Sequence, residues 1–190
     1  MNGILAGISE TYVDVLGVYF KLQSFIFMPV FGLNQGVMPI MGYNYGAKNG
    51  KRLMDTLKYG IYVAIVIMAV GVVLFQTLPE ILLNLFNAYP EMLETGVPAL
   101  RIISLCFVLA AVGILFSTFF QAVGHGIRSM MVSLFRQLGI ILPAAYFLAG
   151  IHPSLVWYAF PIAEGGAMMI AVIFFATLYK KEIKKIMPAL

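Results

Sequence analysis

The sequence predicts an all-α integral membrane protein, with residues 1–190 forming one polytopic helical bundle. Hydrophobic residues make up 62% of the chain and charged residues only 11%, and the mean hydropathy is +0.95. Soluble domains carry about 25% charged residues, so this chain has too few charges to cover a water-facing surface. Several charge-poor runs reach the roughly 20 residues that a helix needs to cross the hydrocarbon layer. They are expected to be helices because backbone groups in lipid must be satisfied within the segment.

The chain is predicted to open with a partial helix over residues 1–7, which is too short to span. No Lys or Arg precedes Lys21, so this stretch lacks the basic region of a secretory signal. It is interpreted as the end of a helix whose first half is missing; the alternative is a short interfacial segment of an intact protein. Five full transmembrane spans are then predicted, over residues 15–47, 53–78, 99–123, 128–150 and 153–179.

The basic residues predict the orientation of these spans. Ten of the twelve fall in three segments that five successive crossings place on one side of the membrane, and the acidic residues of the loops lie mainly on the other. The ten are Lys48, Lys51, Arg52, Lys58, Arg128, Arg136, Lys180, Lys181, Lys184 and Lys185. Because basic loops tend to remain inside, the sequence predicts a multi-pass protein of the inner (plasma) membrane with a cytoplasmic C-terminus.

Several classes of function are disfavoured. The single cysteine, Cys106, leaves neither a disulfide framework nor a zinc motif. Nucleic-acid binding is not expected, since the basic residues are scattered between apolar runs. No HExxH, GxSxG or Walker motif occurs, so the chain is predicted not to be an enzyme, and no cofactor or metal is predicted. An intramembrane enzyme would need a cluster of catalytic residues that this sequence does not offer.

Glu164 is the leading candidate for a functional residue, because an ionisable group inside a span is costly to place there. It is expected near the membrane midplane, about 11 residues after Pro153 at about 1.5 Å per residue. It follows Pro161, which removes a backbone donor, and precedes Gly165 and Gly166, which allow another helix to come close. Glu164 could titrate, bind a cation or hold a neighbouring helix. The alternative is a purely structural carboxyl group that locks helices together.

Two further cations are interpreted from their depth. Lys21 is expected near the outer interface, where it can extend to water, or alternatively in a pair with Glu164. Arg136 is expected near the inner interface, or alternatively as the partner of a buried acid.

Asn34 and Gln35 lie in the first span, which prolines and glycines are expected to break repeatedly. Pro39 frees the carbonyl group of Gln35, and irregular backbone at that depth must face protein or a water-filled cavity. We therefore predict Glu164, Gln35, Asn34 and Lys21 as residues of a substrate or ion cavity. The alternative for the two amides is that they only join helices.

Four motifs resemble the bacterial branch of the multidrug and toxic compound extrusion (MATE) family. FGLNQGVMPIMGYNYGA over residues 31–47, followed by Arg52, is similar to its eighth helix and the next cytoplasmic loop. FFQAVG at 119–124, SLFRQ at 133–137 and FPIAE at 160–164 are similar to parts of the tenth, eleventh and twelfth helices. The motifs occur in the order of the family and cover nearly the whole chain.

The resemblance implies the C-terminal lobe of a two-lobe, twelve-helix transporter that exports lipophilic cationic drugs in exchange for protons or sodium ions by alternating access. The implied partners are drug-like molecules, a proton or sodium ion, membrane lipids and a missing N-terminal lobe. Because that lobe is missing, the chain is expected to be an incomplete fragment that does not transport alone. The acid that some members carry in the tenth helix has no counterpart in residues 102–123. The alternatives are a flippase of lipid-linked glycans from the same superfamily and a structural membrane subunit without transport activity.

Overall fold

Helices begin at Asn2 and continue to the end of the part of the chain that the computed structural model describes, residues 1–187. No strand occurs within that part. The α-helices are α1 (Asn2–Ala6), α2 (Glu10–Gly46), α3 (Gly50–Thr77), α4 (Pro79–Asn84), α5 (Pro90–Ser104), α6 (Phe107–Ala122), α7 (Gly126–Leu134), α8 (Leu142–Ile151) and α9 (Ala159–Lys181). A π-helical segment covers Phe135–Ile141, and short 3₁₀ helices cover Pro153–Tyr158 and Ile183–Ile186.

Four continuous helical stretches are long and apolar enough to cross a membrane, and a bent pair makes a possible fifth. The four are Glu10–Gly46, Gly50–Thr77, Gly126–Ile151 and Pro153–Lys181, and the pair is α5 with α6. The predicted fold class, an all-α membrane bundle, is confirmed. Large apolar side chains lie on the outside, among them Phe25, Tyr43 and Ile151, which are 71%, 77% and 74% exposed. Such a surface suits lipid and not water.

The first long helix is continuous, so the expectation that prolines and glycines break it repeatedly is wrong. Helix α2 runs for 37 residues through Pro29 and Pro39. It begins after Ser9, whose side-chain oxygen accepts a hydrogen bond from the N–H of Thr11 at 3.2 Å. Helices α3, α5 and α6 pack along its length. Neighbouring helices of this kind allow proline inside a membrane helix.

The third predicted span, residues 99–123, needs correction. The helical path begins earlier, at Pro90, and bends by 48° between Ser104 and Phe107. The hydroxyl group of Ser104 donates to the carbonyl oxygen of Arg101 at 2.9 Å, which competes with the regular helical pattern. From α3, the amide of Gln76 donates to that same carbonyl oxygen at 2.8 Å and to the Ser104 hydroxyl at 2.9 Å. These side-chain bonds stabilise the bend.

The fourth span contains a π-helical segment, in which the backbone turn is wider than in an α-helix. Helix α7 passes into the π-helical segment Phe135–Ile141, and Pro143 follows two residues after its end. Because proline has no N–H group, the carbonyl of Gly139 loses its regular partner four residues later. Local π-helical geometry re-satisfies backbone groups near such a site and is frequent at functional positions. The segment carries Arg136.

Aromatic residues fill the centre of the bundle beside the bend. The ring of Phe107 on α6 is fully buried and meets Phe27 edge-on at 5.4 Å and Phe75 at 5.1 Å. This cluster joins α2, α3 and α6 into one unit. Helix α9 packs on the other side of α6 and also contacts α7, the π-helical segment and α8. The polar site described below lies where these two groups of helices meet.

Candidate functional site

Glu164 forms an ion pair in the interior of the bundle. Its Oε1 atom accepts a hydrogen bond from Nη1 of Arg136 at 2.6 Å. The Glu164 side chain is 16% exposed and that of Arg136 is 39% exposed, so the pair is only partly screened by solvent. The alternative that Arg136 is the partner of a buried acid is therefore confirmed, and the alternative pairing of Glu164 with Lys21 is wrong.

The depth of Arg136 also differs from the sequence prediction. It lies ten residues after the start of the stretch Gly126–Ile151, a rise of about 15 Å at the usual helical spacing. This places it near the middle of the helix and not at the inner interface. Because charge at that depth is costly without a partner, the contact with Glu164 accounts for its position.

A cavity of about 230 Å³ adjoins this ion pair. At roughly 30 Å³ per molecule, that volume holds several waters. Four long stretches contribute to it: α2, α6, the stretch Gly126–Ile151 and α9. Its polar lining residues are Asn34, Ser117, Thr118, Gln121, Ser133, Arg136 and Glu164.

Arg136 also lines a second cavity, of about 200 Å³. Its polar lining includes Tyr19, Gln23 and Gln137, and Phe160 closes one wall. On α2 and α9, the first cavity is lined by Phe31, Asn34, Glu164, Ala167 and Met168, whereas the second is lined by residues nearer the start of those helices. Arg136 lines both cavities.

Asn34 carries an unusual polar atom. Its Oδ1 is buried and accepts no hydrogen bond from any described residue, although the side chain borders the first cavity. A buried acceptor without a donor costs about 1–3 kcal/mol. A water molecule, a cation or a hydrogen-bond donor of a ligand would each satisfy it. The structure therefore brings Asn34 and Glu164 to one cavity.

Gln35 and Lys21 lie elsewhere. Gln35 is exposed on another face of α2 and does not line either of the two cavities. Lys21 is exposed in the first part of α2, where its Nζ lies 5.5 Å from the ring centroid of Phe86. It borders a separate, open pocket that also contains Asp14 and Tyr89, whose hydroxyl donates to Asp14 at 3.0 Å. Lys21 therefore does not line the cavity beside Glu164.

Several polar residues of the cavity were missed by the sequence analysis. Gly113, Ser117 and Gln121 recur every four residues and therefore share one face of α6. That small and polar face inside an apolar helix is the signal that could have identified them. The role of Arg136 depends on a contact between residues 28 positions apart, which no local pattern reveals.

A family model described as MatE matches residues 1–147. The chain belongs to the MatE family. The MatE relatives include a multidrug export protein MepA of Staphylococcus haemolyticus, which is 28% identical over 148 residues, covering 78% of this chain and 32% of the relative. The family resemblance deduced from the four motifs is therefore confirmed.

Solved structures of MatE transporters share the fold. The inward-facing conformation of a multidrug resistance MATE family transporter of the MOP superfamily matches with a TM-score of 0.89 and 21% identity, over 97% of this chain and 43% of that one. The MATE multidrug transporter DinF-BH matches with a TM-score of 0.79 and 33% identity, over 95% of this chain and 40% of that one. This chain thus spans less than half the length of these transporters, in agreement with the predicted half of a two-lobe protein.

Proposed function

We propose that this chain forms one lobe of a multidrug efflux transporter that exports lipophilic cations in exchange for protons or sodium ions by alternating access. Family membership supports the transport of drugs. The observation that supports ion coupling in this lobe is the Arg136–Glu164 pair, whose arginine lines two cavities of the bundle. In this proposal, the second lobe forms the other wall of the substrate cavity, and the drug binds between the two lobes.

The ion pair suggests how a cation acts on the lobe. While Glu164 is ionised, it accepts a hydrogen bond from Arg136 and joins α9 to the π-helical segment. A proton on Glu164, or a sodium ion at its carboxylate, neutralises the negative charge that is paired with the Arg136 guanidinium group. The guanidinium group then needs a new environment, and the two helices gain freedom to shift. An ion entering from one cavity and leaving through the other would drive the lobe between two states.

The charge of the site favours drug cations over a lipid-linked glycan. A flippase for such a glycan needs a strongly cationic cavity. In the described residues, the charged groups of the first cavity are Arg136 and Glu164, which neutralise each other. Phe31 and Met168 contribute apolar wall to the same cavity. Soft aromatic and thioether surfaces suit lipophilic cations.

We also propose the orientation of the protein and the membrane in which it lies. The loops after α2 and α6 and the segment after α9 come together at one end of the bundle, and they carry most of the basic residues. By the positive-inside tendency, this end and the C-terminus are cytoplasmic, in the inner (plasma) membrane. Five crossings follow the helices Glu10–Gly46, Gly50–Thr77, Pro90–Ala122, Gly126–Ile151 and Pro153–Lys181.

The proposal is tested in a fusion protein. This chain replaces the matching part of a Staphylococcus aureus MepA, of which it covers 38%, and export of the fluorescent lipophilic cation ethidium from cells or proteoliposomes is measured against an imposed pH or sodium gradient. We expect gradient-driven export, and we expect Glu164→Gln to reduce it at least about tenfold, an increase of about 1.4 kcal/mol in the barrier. Glu94→Gln, which changes an exposed acid on α5, serves as the matched control. Export by Glu164→Gln with unchanged rate and gradient dependence would refute ion coupling at this site.

A further inference from the structure

The residues after α9 fold back onto the cytoplasmic end of the bundle, and we call residues 182–187 the C-terminal strap. Ile183 is fully buried. The backbone of Ile186 lies against the first residue of α3, so that a Cβ atom added to Gly50 would stand 2.8 Å from the Ile186 carbonyl oxygen. The strap is therefore docked by contact and is not a free tail.

Glu182 fixes the start of the strap. Its Oε2 accepts a hydrogen bond from the Tyr45 hydroxyl at 2.8 Å, and the Nε2 atom of His125 lies 3.0 and 3.1 Å from Oε1 and Oε2. The carboxylate thus joins the ends of α2, α6 and α9. Within the described residues, the ion-pair partner of Glu182 is His125 and not a lysine of the strap.

Docking places two basic segments side by side. Eight basic side chains at this end are exposed: Lys48, Lys51, Arg52, Lys58, Lys180, Lys181, Lys184 and Lys185. Among the residues that the structure describes, the ion pairs within 4.0 Å are His125–Glu182 and Arg136–Glu164, and neither includes one of these eight. The face therefore presents a dense positive charge with Asp55 as its one exposed acid in the described part of the chain.

An apolar groove of about 360 Å³ begins at this face. Lys51, Met54, Lys58 and Ile61 recur at three- or four-residue spacing and so lie along one side of α3. The groove is lined by Met54, Asp55, Leu57, Lys58, Ile61, Phe116 and Phe175. Along α3, Met54 and Asp55 lie nearest the charged end, Lys58 follows about one turn further in, and Ile61 lies deeper in the span. A molecule with an anionic head and a hydrocarbon tail matches both parts.

We propose that this face binds an anionic phospholipid, whose phosphate group contacts the lysines of the strap and of α3 and whose acyl chain lies in the groove beside Ile61 and Phe116. Basic clusters directly cytoplasmic of a membrane helix attract anionic headgroups, and each Lys or Arg strengthens that attraction about fivefold. The groove adds apolar contact for the chain. This inference goes beyond the transport function and rests only on the orientation proposed above.

The first test counts bound lipids on the purified 190-residue chain by native mass spectrometry, after titration with phosphatidylglycerol or phosphatidylcholine. We expect phosphatidylglycerol to bind much more tightly. The double variants Lys51→Gln/Lys58→Gln and Lys184→Gln/Lys185→Gln should each weaken it about 30-fold, from about fivefold per lysine. The control, Lys21→Gln/Arg101→Gln, removes the same charge from the opposite end and should change the affinity less than about twofold. Equal binding of both lipids, or equal losses in the control, would overturn the proposal.

The second test keeps the charge constant. Gly50→Ala forces the Ile186 backbone away and should undock the strap, which lowers the affinity for phosphatidylglycerol toward that of the Lys184→Gln/Lys185→Gln variant. Gly46→Ala is the matched control, since a Cβ there meets nothing within 4 Å. If Gly50→Ala binds phosphatidylglycerol as tightly as the parent chain does, docking of the C-terminal strap does not form the lipid site, and the proposal is contradicted. Displacement of the lipid by inorganic phosphate alone would show a simple phosphate site and would also contradict the proposal.

Discussion

Replacing Glu164 with glutamine removes the charge of the ion pair while it keeps the size of the side chain. The magnitude follows from the geometry of the pair. Removing one partner of a fully buried pair costs about 3–5 kcal/mol, whereas exposed pairs contribute about 0–1 kcal/mol. With a 2.6 Å contact and side-chain exposures of 16% and 39%, the Arg136–Glu164 pair lies between these limits. We expect a coupling free energy of about 1–3 kcal/mol.

A double-mutant cycle measures this coupling. The free energy of unfolding is determined in mixed detergent micelles for the parent chain, Glu164→Gln, Arg136→Gln and the double variant. A second cycle, Glu94→Gln with Lys51→Gln, joins residues at opposite ends of the bundle and should be additive within about 0.5 kcal/mol. A coupling between Glu164 and Arg136 below the same limit would refute the argument that the two helices are joined by this pair.

Three further predictions concern single groups. The hydrogen bond from His125 holds the pKa of Glu182 below its ordinary value of 4.5. The free energy of unfolding should therefore decrease as the pH falls below about 4.5 and through the folded-state pKa. Glu182→Gln should make the free energy of unfolding depend less on pH in that range. Asn34→Leu removes a buried acceptor that accepts no hydrogen bond from any described residue, so it should leave the free energy of unfolding unchanged or raise it by up to about 3 kcal/mol while it lowers drug export by the fusion protein. Gln76→Leu deletes two hydrogen bonds at the bend and should cost about 1–3 kcal/mol in the free energy of unfolding; a neutral result would show that the bend is stable without them.

Much of the fold could be predicted from composition and segment length. Charge-poor runs longer than the hydrocarbon layer require helices, and four motifs identify the family. The bend after Ser104 could not be predicted in this way, because it depends on the reach of Gln76 from another helix. The continuity of α2 through Pro29 and Pro39 likewise depends on the neighbours that pack along it.

The site was predicted in part for a related reason. The cost of a charge in lipid singles out Glu164, and the polar pattern of the first span singles out Asn34. Gln35 does not line the cavity beside Glu164, because adjacent residues on a helix point about 100° apart, and the polar pattern alone does not tell which of the two faces it. The partner of Glu164 was left open, since depth along separate helices cannot choose between Lys21 and Arg136 without their packing.

The cavity beside Glu164 is expected to contain water within the membrane-embedded bundle. The buried Cys106 is first replaced by serine. A single cysteine is then introduced either at Ser117, which lines the cavity, or at Phe147, which is 70% exposed on the surface of the bundle. Each is then treated in lipid vesicles with a charged, membrane-impermeant thiol reagent applied to both sides. We predict rapid labelling at position 117, slowed by ethidium in the fusion protein, and little labelling at position 147. Labelling at 147 with none at 117 would contradict the account.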